Sequence, residues 1–377
     1  MISSFSAFSI KNKFKDFIRK VIFLFKLYKN FLCPSLIFIN YANDLTNSIM
    51  RKTKKGDDFL ETAKDYYRLF FASSAILLTI LAQLLIPKSA VSFTKIQSWY
   101  LYFLWISFAL SLAAAFFSIV RHKKGKFYHK SYFIGTSYLA LAVYNFVTEK
   151  LSLLPEIFFP SPNKILAVFV KSGPFILKCD LFSLRLLAIS WAIGIALGLL
   201  TGILVGWFTS FNYWLDPIVK ILGPIPSTAF VPLALTAFPT SFAASIFLIS
   251  LSVWFPVTIL TNSGIQNVKK TYFEVADTLG ATTFQKIAHV ALPASLPNVF
   301  VGIFNGACTS FITLMTAEML GVKYGIGWYI NWQREVLGYA NVYAGLITIA
   351  VTFSLIITLL FKVRDRLLSW QKGFIKW

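Results

Sequence analysis

The segment 267–293 is more polar than the apolar runs on either side of it, and its residue types suit recognition of a partner. Phe273, Ala276, Leu279 and Gly280 recur at helical spacing, and we expect Gly280 to end this short first helix. A helix of this kind lying across a membrane surface can dock into a cleft on a soluble protein. The pattern alone equally allows an ordinary interfacial loop.

A second amphipathic piece follows in the same segment, with its apolar residues on one side (Phe284, Ile287 and Val290). We expect Leu292-Pro293 to end this piece and Pro297 to open the next apolar run. The sequence therefore predicts two short helices between two membrane spans.

Four glycines recur every fourth residue along one face of the apolar run 184–207 (Gly194, Gly198, Gly202 and Gly206). Small residues at this spacing let two helix backbones approach closely within a membrane. Static packing in the core is the simpler interpretation, and a sliding interface during a conformational change is the alternative.

Glu318 is an acidic residue at the end of the apolar run 297–318. Charged residues within spans are rare and raise the hypothesis of a functional site. Its position at the end of the run favours a residue in water at the membrane interface. The alternative is that Glu318 faces a translocation path.

The sequence lacks the motifs of the common enzyme classes. We find no glycine-rich phosphate loop ending in Gly-Lys-Ser or Gly-Lys-Thr. The three histidines (His122, His129 and His289) have no spacing that resembles a metal site. We therefore expect no catalytic residue, no metal and no cofactor in this chain.

The composition indicates an integral membrane protein. The chain has 377 residues, of which 57% are hydrophobic and only 14% are charged, whereas soluble domains carry about 25% charged residues. This composition excludes a disordered chain and argues strongly against a water-soluble enzyme. The formal net charge is +21, but the basic residues form short clusters between apolar runs, which argues against binding of nucleic acid.

The apolar runs predict an all-α protein with about eight transmembrane helices, because one crossing needs about 20 apolar residues. Residues 17–39 carry several Lys and Arg, so we interpret them as an interfacial basic helix rather than a ninth span. The proline-rich run 215–238 must be broken or buried within protein. The eight predicted spans are 69–87, 99–120, 132–148, 184–207, 215–238, 242–262, 297–318 and 342–361.

The loops predict the orientation. The segments 51–68, 120–131 and 362–377 are rich in Lys and Arg, and eight spans place all three on one side, which should be the cytoplasm. Both termini and the loop 263–296 are then cytoplasmic, and the loop 319–341 lies outside. We find no cleavable signal peptide.

The loop motif Glu274-x-Ala276, Gly280 and Leu292-Pro293 resembles the EAA loop of the membrane subunits of bacterial binding-protein-dependent ABC importers. In that family, Glu-Ala-Ala is followed by three residues, Gly, nine residues, Ile, one residue and Leu-Pro. Here the second Ala is replaced by a valine and the Ile by another valine, with the spacing kept (Val275 and Val290).

The resemblance extends over residues 132–370 and is greatest to permeases of the nitrate, sulfonate and taurine type. It includes the Pro-Ser-Pro stretch 160–162, the proline-rich stretch 225–233 and three later stretches (317–321, 325–328 and 342–345). We therefore divide the chain into an N-terminal basic region with two extra spans, 1–131, and a permease domain, 132–370. The role of the first region stays open.

The resemblance implies a permease subunit in the bacterial inner membrane, with a six-helix core plus the two N-terminal spans. It implies a homodimer in the lipid bilayer, an external solute-binding protein, and a separate ATPase subunit that binds ATP and Mg. It implies a small solute, such as nitrate, a sulfonate, taurine or a pyrimidine precursor. Contact with the ATPase would come from the loop (Glu274, Ala276, Leu279, Gly280, Leu292 and Pro293), and Glu274 could instead cap its own helix.

Three other classes fit the sequence less well. A secondary transporter driven by an ion gradient needs charged residues at mid-span and internal repeats, and we see neither. A membrane-embedded enzyme needs a cluster of catalytic side chains near one face. A purely structural scaffold does not explain several family-like motifs in order.

Overall fold

The computed structural model describes residues 63–86, 98–120, 126–223, 225–319 and 322–370. Within these ranges every regular element is a helix, which confirms the all-α fold class. Six of the described helices are long and apolar enough to cross a membrane, or seven if one bent pair counts as a single span. The count of eight spans stays a prediction, and the interfacial helix predicted at 17–39 lies outside the described residues.

The chain forms two compact units, and the division falls between Ala167 and Val168. In the first unit, helix α1 spans Ala63–Leu85, α2 spans Trp99–Val120 and α3 spans Lys126–Asn145, followed by a π-helical turn at Phe146–Lys150. Helix α2 contains the second predicted span, and α1 contains the first, 69–87, up to Leu85. Helix α3 contains most of the third, 132–148, but is not among the six membrane candidates.

Helix α4 spans Pro162–Trp207 and is 46 residues long, about twice the length that one bilayer crossing needs. The predicted span 184–207 is its second half. The later candidates are α7 at Ser241–Gln266, α10 at Leu292–Met319 and α12 at Tyr339–Leu367. Each contains the span that the sequence predicted there, because a long apolar run is a strong local signal.

The proline-rich run 215–238 is broken, which is one of the two outcomes that its prolines predicted. Helix α5 spans Thr209–Leu222, a short 3₁₀ turn follows at Ser227–Phe230, and α6 spans Val231–Ala237. The two halves meet at an angle of 88°. A proline lacks the amide hydrogen that a helix interior needs, so several prolines within a few residues end the first helix.

Helices α7 and α10 pack closely against each other in the second unit. At Gly302 on α10, an added Cβ would lie 3.0 Å from the carbonyl oxygen of Pro256 on α7. A buried apolar cluster joins α4, α7 and α10 (Leu186, Leu187, Ile249, Ala307, Phe311 and Leu314). Phe353 on α12 stacks on Phe311 with 3.8 Å between ring centroids. This core fixes the helices from which the loop 267–293 emerges.

Candidate functional site

The first helix of the loop, α8, spans Lys270–Thr278 and begins four residues after α7 ends. Glu274 lies in its middle and is exposed, and it makes no hydrogen bond or ion pair to any residue that the structure describes. The helix has no acidic residue in its first turn, and its N-cap Lys269 has no side-chain cap. The interpretation of Glu274 as a cap of its own helix is therefore wrong.

Gly280 ends α8, as its residue type predicted. It adopts the left-handed conformation with φ +72°, which residues with a Cβ rarely accept. The amide of Ala281 donates to the carbonyl of Ala276 (3.0 Å), and the amide of Gly280 donates to the carbonyl of Asp277 (3.0 Å). These two bonds form a Schellman motif. An added Cβ at Gly280 would meet nothing within 4 Å, so the glycine is needed for its backbone angle and not for internal space.

Four large apolar side chains of this loop are exposed, and we call them the apolar loop surface (Tyr272, Val275, Leu279 and Phe284). Leu279 is 81% exposed and Phe284 is 76% exposed. The periodic pattern placed Leu279 and Phe284 on apolar faces, but the described residues do not cover them. Exposed apolar patches on a folded protein mark contact with a partner or a membrane.

Contacts on the opposite side hold α8 in place. Ala276 is buried, and the ring of Phe273 packs edge-on against Trp207 at the end of α4, with 5.4 Å between centroids. Asp277 forms an ion pair with Lys286 in the next helical segment. These contacts tie α8 to the end of α4 and to the segment that follows it.

The second piece of the loop differs from its prediction. It begins at Thr282, which forms a capping box with Gln285. Helix α9 at Thr283–Gln285 continues through a π-helical segment, Lys286–Ala291, directly into α10. The expectation that Leu292-Pro293 ends this piece, and that Pro297 opens the next, is wrong. The wider π register next to Pro293 accommodates the missing amide of that residue without a break.

The four glycines on α4 face α7. Added Cβ atoms there would lie 2.6–3.1 Å from side chains of α7 (Gly194 against Val253, Gly198 against Val257, Gly202 against Thr261 and Gly206 against Ile265). Such distances leave no room for a side chain. The last turn of α7 leads into α8, so the helix that contacts the glycines also carries the loop.

A polar network links the same two helices, α4 and α7. The sequence analysis did not predict it. The hydroxyls of Thr201 and Thr258 are 2.8 Å apart, and the indole of Trp254 donates to Thr201 (3.0 Å). The hydroxyl of Ser250 donates to the carbonyl of Ser190 (3.1 Å). The Ser and Thr residues on the glycine-bearing face of α4 could have predicted this network, because Ser and Thr commonly form hydrogen bonds between helices within membranes.

Glu318 is only 1% exposed, so the interpretation of this residue as a water-exposed interface residue is wrong. Its Oε2 accepts a hydrogen bond from the amide of Gly327 (2.7 Å). The sequence could not reveal this burial, because the enclosing backbone comes from a later segment that begins at Gly325. A role for Glu318 in a translocation path stays a prediction.

We expect Gly280→Ala to loosen the end of α8, whereas Gly280→Asn changes it less. A left-handed residue with a Cβ costs about 1–2 kcal/mol, and Asn tolerates this conformation better than Ala. The measurement is hydrogen exchange of a peptide covering 270–281, which should be faster in Gly280→Ala. Equal exchange in both variants would show that the left-handed cap does not hold this loop.

Known proteins resemble the part of the chain that carries these features. A family model described as binding-protein-dependent transport system inner membrane component matches residues 194–370. The putative aliphatic sulfonates transport permease of Bacillus subtilis is 33% identical over 57% of this chain and 79% of its own length. The taurine transport system permease of Escherichia coli is 28% identical over 63% of this chain and 89% of its own. The nitrate import permease of Leptolyngbya laminosa is 36% identical over 41% of this chain and 56% of its own.

Proposed function

Because the chain belongs to the family of binding-protein-dependent transport inner membrane components, and is thus an ABC importer permease, we propose that its loop 267–293 docks a separate ATPase. The matched residues contain the whole loop, the four glycines and Glu318. The permease is an integral membrane component of a transport system.

The apolar loop surface is the observation that carries the docking proposal. Leu279 and Phe284 expose large apolar side chains, while the opposite side of α8 is fixed by Phe273 and Ala276. A rigid helix with an uncovered apolar face suits insertion into a groove of another protein. Glu274 is exposed on the same helix, where it can pair with an Arg or Lys of the ATPase.

The proposed site divides into residues that touch the ATPase and residues that position them. Glu274, Leu279 and the exposed backbone at Gly280 form the contact. Ala276 is a positioning residue, because its buried side chain seats α8 against the protein. Leu292 and Pro293 position the loop through the continuous helix into α10.

The energy for transport comes from ATP hydrolysis on the ATPase subunit. The ATPase subunit binds ATP and Mg, and its closure brings the docked loops of two permease subunits together. Within each permease, α8 is tied to α4 through Phe273 and Trp207 and follows α7 in the chain. Because the glycines leave α4 and α7 almost in backbone contact, these helices move as one body rather than slide. Two such bodies switch the access of the pathway between the two sides.

We propose a homodimer of this chain in a bacterial inner membrane, with both termini and the loop in the cytoplasm. A solute-binding protein delivers the solute from outside. The solute is a small molecule with an anionic group, such as nitrate, a sulfonate or taurine. Two relatives that this chain matches over most of their length are named as sulfonate and taurine permeases.

Uptake into cells that express the complete transport system tests this function. Labelled taurine, an alkanesulfonate and nitrate are offered separately, with and without depletion of ATP. We expect uptake of at least one of these solutes. That uptake should stop when ATP is depleted and persist when an uncoupler collapses the ion gradients. Uptake that follows the ion gradients and ignores ATP would contradict the proposal and support a secondary transporter.

A further inference from the structure

A small cavity lies beside Glu318, among helices α4, α10 and α12 and helix α11, which spans Ile326–Glu335. Four polar side chains line it (Asp180, Ser183, Glu318 and Thr352), and the rest of its lining is apolar. Its volume is about 10 Å³, close to the roughly 10–15 Å³ that a single water molecule needs. The cavity therefore has room for a ligand no larger than one water.

Glu318 presents an unpaired oxygen at this cavity. Its Oε2 is held by the amide of Gly327, but its Oε1 is fully buried and has no hydrogen-bond partner among the described residues. An added Cβ at Gly325 or Gly327 would lie within 2.6–3.0 Å of the Glu318 side chain. The backbone is thus built closely around this carboxylate, and burial of an unsatisfied oxygen there is costly unless a ligand meets it.

The other three polar side chains add oxygens to the same cavity. Asp180 is buried, and its Oδ2 accepts a hydrogen bond from the hydroxyl of Thr352 (2.9 Å). The hydroxyl of Ser183 accepts from the amide of Ile326 (2.9 Å), and the same hydroxyl faces the carboxyl group of Glu318.

No basic side chain among the described residues forms an ion pair with either acid. The basic residue nearest to Glu318 in the chain, Lys323, is exposed. Those nearest to Asp180, Lys178 and Arg185, are also exposed and lie over aromatic rings. The Lys178 ammonium is 4.6 Å from the ring centroid of Tyr324, and the Arg185 guanidinium is 5.9 Å from that of Phe242. Two buried carboxylates without a positive charge are strongly disfavoured in a low-dielectric interior.

We propose that this cavity binds one Na⁺ ion, held by Glu318 Oε1 and by oxygens of Asp180, Ser183 and Thr352. Carboxylate and hydroxyl oxygens are hard ligands that suit hard cations. Ca²⁺ takes 6–8 oxygen ligands and Mg²⁺ usually keeps several waters, more than four side chains around the space of one water supply. A monovalent cation is hydrated more weakly, so it gives up its waters for an incomplete set of ligands at a lower cost. A monovalent ion of that size reduces the net charge of the two carboxylates from two negative charges to one, and it meets the unpaired Oε1.

The test is the thermal unfolding of the purified full chain in lipid nanodiscs. NaCl is titrated against choline chloride at constant ionic strength and constant pH. A ligand that binds only the folded state raises the melting temperature with its concentration. We expect a saturable rise with Na⁺ in the wild type, a much smaller rise with the larger K⁺, and none in Glu318→Gln or Asp180→Asn.

One further variant tests the site without changing an acid, and a second serves as a control. Thr352→Val removes one neutral ligand and should raise the half-saturating Na⁺ concentration about tenfold, even if the acid variants fail to fold. Glu335→Gln changes an exposed acid on α11 and should keep the wild-type response. A wild-type melting temperature that is equal in Na⁺ and choline would overturn the proposal. So would one that follows pH but not Na⁺, because protonation would then supply the charge.

Discussion

Leu279→Asp should reduce ATP-driven uptake at least tenfold while the protein stays folded in the membrane. Leu279 is the most exposed residue of the apolar loop surface, so its replacement removes almost no internal packing. A carboxylate placed in an apolar groove of a partner must be desolvated without a counter-charge. Loss of a central apolar anchor alone costs about 2 kcal/mol or more in a protein interface, which is about thirtyfold in affinity.

Two measurements separate this effect from misfolding. Uptake and co-purification of the ATPase should both fall, while the melting temperature of the purified permease stays at the wild-type value. The matched control is Val336→Asp, which places the same charge on another exposed apolar residue at the end of α11. The control should retain the ATPase. If Leu279→Asp also retains it and transports normally, the loop is not the docking site.

Gly202→Ala adds only one methyl group, but it should destabilise the second unit strongly. The new Cβ would lie 2.6 Å from Cβ of Thr261 and 2.9 Å from the carbonyl oxygen of Thr258. Both partners are on α7, and neither is the end of a flexible side chain, so the two helices must separate. Overpacking of this kind costs about 1–3 kcal/mol. The melting temperature in nanodiscs should fall by several degrees.

Gly173→Ala is the matched control on the same helix. An added Cβ there meets nothing within 4 Å. The gain in helix propensity from Ala is offset by the restriction that Pro174 places on the residue before it, so we expect a change within about 0.5 kcal/mol. Equal melting temperatures for the two variants would show that the glycines on α4 are not needed for close packing.

The parts of the fold that depend on local signals were predictable from the sequence. Long apolar runs located α7, α10 and α12, and the prolines of 215–238 indicated the break that the structure contains. Gly280 was identified as a helix end because only glycine adopts its backbone angle at little cost.

The features that depend on distant residues were not predictable. The burial of Glu318 requires the backbone around Gly327, and the hydrogen bond of Asp180 comes from Thr352, which is 172 residues later. Nothing local to Glu318 distinguishes this enclosure from a position in water. The continuous helix through Pro293 was missed for a different reason, because a π-helical segment removes the break that a proline normally causes.

Site-specific photocrosslinking from position 279 in membranes tests the central claim most directly. A photoreactive amino acid replaces Leu279 in the full chain, with position 336 as the control, and the crosslinked proteins are identified by mass spectrometry. We predict a crosslink from position 279, and not from position 336, to an ATPase that contains a phosphate-binding loop. A position 279 that crosslinks only to lipid, in a system that transports actively, would contradict the account.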